Sequence, residues 1–349
     1  MPQATFHGRR AHAIENGDLR VTVLEEGGHI AEILHKQAGV NPLWIPPWPS
    51  IEPSTFDPSG HSTYGASAEG RLLAGIMGHN LCLDIFGPPS AEEAAAGVTV
   101  HGESSVLPYE ITAQDGGLHM RATLPLAGLE IQRTIHLRGE SVRIREAVRN
   151  LCAFDRAIAW TQHVTLGPPF LEKGVTQFRA TATRSKAYET TFGENDYLRA
   201  GVEFDWPMAP RADGGTADMR ICNAAPASSA FTTHLMDPAL EDVSFAAFSP
   251  RFHLLFGYIW KRTDFPWLGI WEENLSRAFP PWNGRTLARG MEFGASPMPE
   301  MRRQMIERGP LFGAPTFRWL AAKAVYEVEY RAVAHKADEI PERLERPGR

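Results

Sequence analysis

The chain has 349 residues, 43% hydrophobic and 22% charged, an ordinary composition for a folded globular protein. Its net charge of -6 is spread along the sequence, without the clustered Lys and Arg that nucleic acid or an anionic membrane requires. Neither is therefore expected as a partner, and no run approaches the roughly 18 apolar residues of a membrane-spanning helix.

Leu19, Val21 and Val23 alternate with Arg20 and Thr22 as a strand, Gly27-Gly28 turns it, and Ile30 to Leu34 reads as its returning partner. Pro42, Pro46, Pro47, Pro49, Pro53 and Pro58 keep residues 41 to 70 irregular, and a loop of this size is commonly functional. After the Gly-rich and apolar segment Arg71 to Asp84, Ser90 caps a short helix that ends at Gly97. Val98 to Val100 then reads as a strand end before His101-Gly102. Tyr109 to Ala113, Leu118 to Leu124, Leu129 to Leu137 and Val142 to Val148 follow as a meander with glycine turns. Ala157 to Leu166 comes next, then Phe245 to Trp260 and Trp267 to Trp271. A helix is expected over Pro299 to Glu307, and a last strand runs through Ala324, Tyr326, Val328 and Tyr330. About fifteen or more short strands without alternating helices predict an all-β fold, a large antiparallel sandwich or barrel with few short helices. One domain over 1–349 is expected, with its core at about 14–333 and a charged, frayed tail at 336–349.

The opening segment carries His7, Arg9, Arg10, Glu15 and Asp18 and no apolar stretch of signal-peptide length, so a cytoplasmic location is expected. Cys82, Cys152 and Cys222 are isolated and odd in number, which suits reduced thiols rather than disulfides or a metal site. A phosphate-binding glycine loop, a nucleophile elbow, a CxxC pair and an HExxH motif are all missing from the sequence.

Three islands of His and Glu remain. His101-Gly102-Glu103 closes a strand in a tight turn. His163 stands on the small, polar face of its strand with Ala157, Ala159, Thr161 and Thr165, while Ile158, Trp160, Val164 and Leu166 point the other way with Gln162. Glu292 lies between Met291 and Phe293 on a short segment bounded by Gly290 and Gly294. Burial of such a carboxyl would raise its pKa toward neutrality, which suits a general base.

The order of these islands resembles the aldose 1-epimerase, or galactose mutarotase-like, family. The resemblance rests on the strand pair around Gly27-Gly28, His101-Gly102 followed by Pro108-Tyr109, His163 on a central strand, Pro266-Trp267-Leu268-Gly269-Ile270-Trp271, Gly290-Met291-Glu292 and a closing strand with alternating tyrosines. It covers most of residues 14 to 333. The resemblance implies a β-supersandwich with a sugar cleft, an isomerase that interconverts anomers, Glu292 as base and His163 as acid, with His101 binding substrate. It implies no cofactor, and a small-molecule carbohydrate as the partner. His79, Arg71, Trp271, Glu272 and Gln162 are further expected substrate-binding residues. Gln162 stands where the family often has Asn, and Gly70-Arg71 is at most a remnant of the family's Arg segment. Asp237 and Asp242 lie in about the interval of its binding Asp. Two other readings stay open: a non-catalytic carbohydrate-binding or sensing protein, and a sugar-phosphate epimerase using Arg71, Arg285 and Arg289. Oligomeric state is left open.

Overall fold

A computed structural model describes residues 4–65 and 67–346. Two large antiparallel sheets carry the fold. The twelve-stranded sheet runs, among its central members, in the order Ile30–His35, His79–Asp84, Arg156–Leu166, Leu287–Gly294, Trp267–Asn274 and Ser228–Met236. The eight-stranded sheet is built on Leu254–Lys261, Val325–Lys336 and Ser141–Asn150, flanked by the meander 110–138. The sheets face each other over a core that includes Leu81, Trp160, Val164, Phe245, Tyr258 and Phe293, all buried. Burial of this kind contributes about 25 cal/mol per Å² of apolar surface, the main term opposing chain entropy.

Most local expectations match the elements. The Ser90 cap opens the helix Ala91–Ala95 with Ser90 Oγ accepting from Glu93 N and the Glu93 carboxylate accepting from Ser90 N. Three details differ. Residues 98–100 form no strand; they lead into a turn whose backbone is held by Leu83 N donating to His101 O. Phe245 to Trp260 is two strands, Asp242–Ser249 and Leu254–Lys261, because Pro250 opens a tight turn between them. Residues 337–346 are anchored to the sandwich rather than frayed. Leu344 joins Ala246, Phe248, Leu255 and Ile259 on the outer face of the smaller sheet, and its backbone N–H donates to Ser244 Oγ at 3.1 Å. That sheet face is apolar, so a single leucine can anchor an otherwise charged segment.

A second apolar cluster lies on the other, concave face of the larger sheet. Trp44, Trp48, Phe231, Trp271 and Trp282 belong to it, together with Leu72 and Leu73 of the short helix Gly70–Gly75. Sequence periodicity alone does not announce that helix, because the segment is flanked by Gly70, Gly75 and Gly78. These loop and helix residues build walls around the centre of the sheet and leave a cavity there.

Candidate functional site

Register places the site. His163 lies opposite Asn80 on one neighbouring strand and opposite Glu292 on the other. Glu292 lies opposite Gly269, Gly290 opposite Trp271, and Trp271 opposite Phe231. Directly opposed residues share a sheet face, so Asn80, His163, Glu292, Trp271 and Phe231 all point to the concave side. A cavity of about 480 Å³ opens over them, lined by His101, His163, Trp271 and Glu292 among others.

At its floor His163 Nε2 stands 3.1 Å from Glu292 Oε1, and both side chains are almost wholly buried. The contact is close but poorly aligned, and Oε1 has no properly directed hydrogen-bond donor among the described residues. Burial raises the Glu292 carboxyl well above the ordinary range, and burial lowers the His163 imidazole to about 4. Both shifts favour an uncharged pair. The far nitrogen of the ring, Nδ1, is 3.1 Å from Thr165 Oγ1, two residues along the same face. Glu292 is folded back along its own strand, and a Cβ at Gly290 would overlap Oε1. Gly290 therefore makes the room in which the carboxyl sits.

His101 arrives from a turn, with φ of +68°. A non-glycine residue in the left-handed region is uncommon and costs conformational energy. Gly102 lets the turn press against the sheet, since a Cβ there would overlap Leu83 O. The ring centroids of His101 and His163 are 4.6 Å apart. The tautomer of His101 follows from its neighbours. Ser105 Oγ donates to Leu81 O at 2.8 Å, so it accepts from Asn80 Nδ2 at 3.2 Å. The same Asn80 Nδ2 donates to His101 Nδ1 at 3.2 Å. His101 then carries its proton on Nε2 and offers it as a donor.

Trp271 packs at 6.0 Å from the His163 ring and edge-on to Trp282 at the same centroid distance. Arg277 lies 4.5 Å from the Trp282 centroid, with Glu273 Oε2 3.4 Å from its Nε. Glu69 lines the cavity as well, and burial raises its carboxyl above the usual range.

No protein-family model and no curated protein matches the sequence. Solved structures do. The chain is similar to a candidate aldose 1-epimerase from Klebsiella pneumoniae, at 13% identity and a TM-score of 0.62 over 92% of this chain and 77% of that one. It is similar to a galactose mutarotase-like protein from Clostridium acetobutylicum, at 11% identity and 0.60, covering 96% and 98%. A galactose mutarotase related enzyme from Lactobacillus acidophilus gives 11% and 0.59, covering 95% and 99%. The fold is galactose mutarotase-like.

On this mutarotase-like scaffold the expected site residues separate into two groups. His163, Glu292, His101 and Trp271 meet at the cavity. His79, Gln162, Glu272 and Arg71 do not line it. His79 and Gln162 point into the sandwich interior, where His79 Nε2 and Gln162 Oε1 are 2.9 Å apart and His79 Nδ1 contacts Tyr258 Oη at 2.9 Å. Glu272 is likewise buried on the interior face, accepting from Ser228 Oγ at 2.7 Å beside Arg289. The reason is strand parity: Gln162 cannot share a face with His163, nor Glu272 with Trp271. Arg71 donates to Pro53 O at 3.2 Å in the proline-rich loop. Of the other arginines considered, Arg289 donates to Met219 O from the interior face and Arg285 is exposed.

Asn80, Thr165, Glu69 and Arg277 were not expected at the site. For Thr165 the signal was present, since it follows His163 by two residues on a strand. For Asn80 it was not, because its place depends on which strand pairs with His163. Among the described residues no group of three or more His, Cys, Asp or Glu is placed to hold a metal ion.

Proposed function

We propose that the cavity binds a small carbohydrate and that the protein is an isomerase of the aldose 1-epimerase kind, with Glu292 as base and His163 as acid. The observation that carries this reading is the 3.1 Å approach of Nε2 and Oε1 at the floor of a cavity. In a cyclic aldose the anomeric hydroxyl and the ring oxygen hang on one carbon. An acid and a base this close together can address both at once.

The proton inventory closes with these two groups. Glu292 takes the proton of the anomeric hydroxyl while His163 gives one to the ring oxygen, and the carbon–oxygen ring bond breaks to leave the free aldehyde. Rotation about the bond next to the aldehyde and reclosure return both protons with either configuration at the anomeric carbon. The pair must start with its shared proton on His163. Burial by itself puts that proton on Glu292 instead. The incoming anomeric hydroxyl supplies the aligned donor that Oε1 lacks, and a hydrogen bond to a carboxylate favours its charged form. His101, with its Nε2 proton, offers a donor to the substrate beside His163, and Trp271 offers a face for C–H groups of the ring.

The sugar-phosphate reading has less support. Arg277 is the one cationic Lys or Arg side chain that lines the cavity among the described residues, and it is engaged by Glu273 and Trp282. Phosphate recognition ordinarily draws several such donors.

Anomer interconversion followed by NMR exchange or polarimetry, over a panel of free and phosphorylated aldoses, tests the proposal. Glu292→Gln and His163→Ala should each lose about 10² to 10⁴ in rate while still binding sugar. If the wild type binds several sugars and accelerates none, the cavity is a binding site without turnover.

A further inference from the structure

Two side chains of opposite charge line the cavity and take no part in the acid–base exchange: Glu69 and Arg277. Register fixes where Arg277 stands relative to the reacting pair. Gly269 lies level with Glu292, and Glu292 with His163. Trp271 follows two residues, or about 7 Å, along the same strand as Gly269. Arg277 comes from the loop beyond that strand's end at Asn274, with its guanidinium carbon 5.6 Å from the Trp271 ring centroid. The His163 ring is 6.0 Å from the same indole. Trp271 therefore spans the interval between the reacting pair and the guanidinium.

Arg277 is only partly engaged. Glu273 Oε2 stands 3.4 Å from its Nε, and Trp282 covers one face of the guanidinium. Its two terminal nitrogens have no hydrogen-bond partner among the described residues. Glu69 is more open still. Its backbone N–H donates to Ser67 Oγ at 3.3 Å, but its carboxyl makes no hydrogen bond and no ion pair among the described residues. Burial raises that carboxyl and Arg277 pulls it partly back, so the two groups feel each other without forming a salt bridge. A hydroxyl suits both at once, since it donates to a carboxylate while accepting from a guanidinium. A methylene satisfies neither, a phosphate is repelled by Glu69, and an ammonium is repelled by Arg277.

In a pyranose bound for ring opening, the bond between C1 and the ring oxygen lies against His163 and Glu292. The ring edge opposite that bond is C3–C4, at the far side of the face resting on Trp271. We infer that Glu69 and Arg277 read the hydroxyls at C3 and C4, so that the substrate is a neutral aldopyranose with this diol free. This rests on the isomerase reading of the same cavity and narrows its substrate. Thr190 and Thr191 also line the cavity, but both are exposed. A sugar hydroxyl meeting them exchanges one wet partner for another and gains little discrimination.

Anomer-exchange NMR on the full chain tests the inference with glucose, 3-deoxyglucose, 4-deoxyglucose and 6-deoxyglucose. For the 3-deoxy and 4-deoxy sugars kcat/KM should fall about ten- to a hundred-fold below glucose, the effect of losing a hydrogen bond to a charged group. The 6-deoxy sugar should stay close to glucose. Glu69→Ala and Arg277→Met should each slow glucose while leaving the 3-deoxy and 4-deoxy sugars nearly unchanged, which shrinks both ratios. A merely structural role would slow all four sugars together. Arg277→Met leaves the buried Glu273 without its cation, so Glu69→Ala, which breaks no side-chain hydrogen bond or ion pair among the described residues, decides the matter if that variant fails to fold. Equal turnover of the four sugars by the wild type, or ratios unchanged in Glu69→Ala, overturns the inference and leaves the isomerase reading intact. No exchange with any sugar overturns both.

Discussion

Glu146 and Glu292 are both buried glutamates on strands of the same sandwich, at 1% and 2% exposure. Their surroundings are opposite. Glu146 faces the interior, where Oε1 accepts from Arg133 Nε at 2.7 Å and from Tyr330 Oη at 2.8 Å. Its Oε2 accepts from Trp160 Nε1 at 2.9 Å and from Gln162 Nε2 at 2.7 Å. Glu292 faces the cavity with His163 as its close neighbour and no aligned donor on Oε1. A buried carboxylate whose oxygens are all claimed belongs to the architecture. One that is desolvated and left short of partners stores reactivity, because its missing hydrogen bonds can be supplied by a ligand.

The contrast can be broken in both directions. Glu146→Gln leaves Arg133 as a buried charge without its counter-ion, and should cost about 3 to 5 kcal/mol in chemical denaturation. Glu292→Gln should change stability by less than about 1 kcal/mol, or raise it, while abolishing most anomer exchange. If the two variants lose stability equally, the distinction between the two carboxyls is wrong.

Gly290→Ala sharpens the same comparison without touching an ionisable group. The added methyl displaces Oε1, which is the end of a flexible side chain, so folding should lose only about 1 kcal/mol. Anomer exchange should fall by up to about a hundred-fold, the penalty of misplacing a reacting group by roughly 1 Å.

The pH dependence of stability should carry the imprint of both buried groups. The Glu292 pKa is raised by folding, so above the ordinary carboxylate value of about 4.3 the folded state holds a proton that the unfolded chain has lost. Wild type should therefore lose stability relative to Glu292→Gln as pH rises from that value. The His163 pKa is lowered to about 4 by folding, so between about 6.5 and 4 the unfolded chain takes up a proton that the folded state refuses. Wild type should lose stability relative to His163→Ala as pH falls through that window. Denaturation midpoints at several pH values check both slopes, and parallel curves would contradict the burial of the pair.

The smallest effect is expected at Asn80. Asn80→Ala removes one hydrogen bond that sets the His101 tautomer, worth about 1 kcal/mol, and should lower exchange about five-fold. A loss as large as that of Glu292→Gln would move Asn80 from positioning His101 to contacting substrate.

Much of this was readable from residue types and order. Alternation at Leu19 to Val23 and through Tyr326 to Tyr330 marked real strands, and the Ser90 cap marked a real helix. The two faces of Ala157 to Leu166 were also legible, including the side on which His163 stands. The same parity counted against Gln162 beside His163 and against Glu272 beside Trp271, and applying it at every strand would have removed both from the site. His79 was beyond its reach, because nothing local says whether His79 or Asn80 faces the cavity. Arg71 was drawn in by Gly70, yet its side chain turns to the proline-rich loop.

The sequence by itself determined the strand-rich class, most of the turns and, on strands with clear alternation such as Ala157 to Leu166, the two faces, since these depend on neighbours two to four positions away. It also contained the ordered islands His101, His163 and Glu292. Only the tertiary structure decided that strands some 130 residues apart lie side by side, with His163 in register with Glu292. That pairing, and the walls raised over it by Leu72, Leu73 and Phe192, set the desolvation that shifts both groups. Burial and cavity shape are sums over distant segments, and no local pattern encodes them.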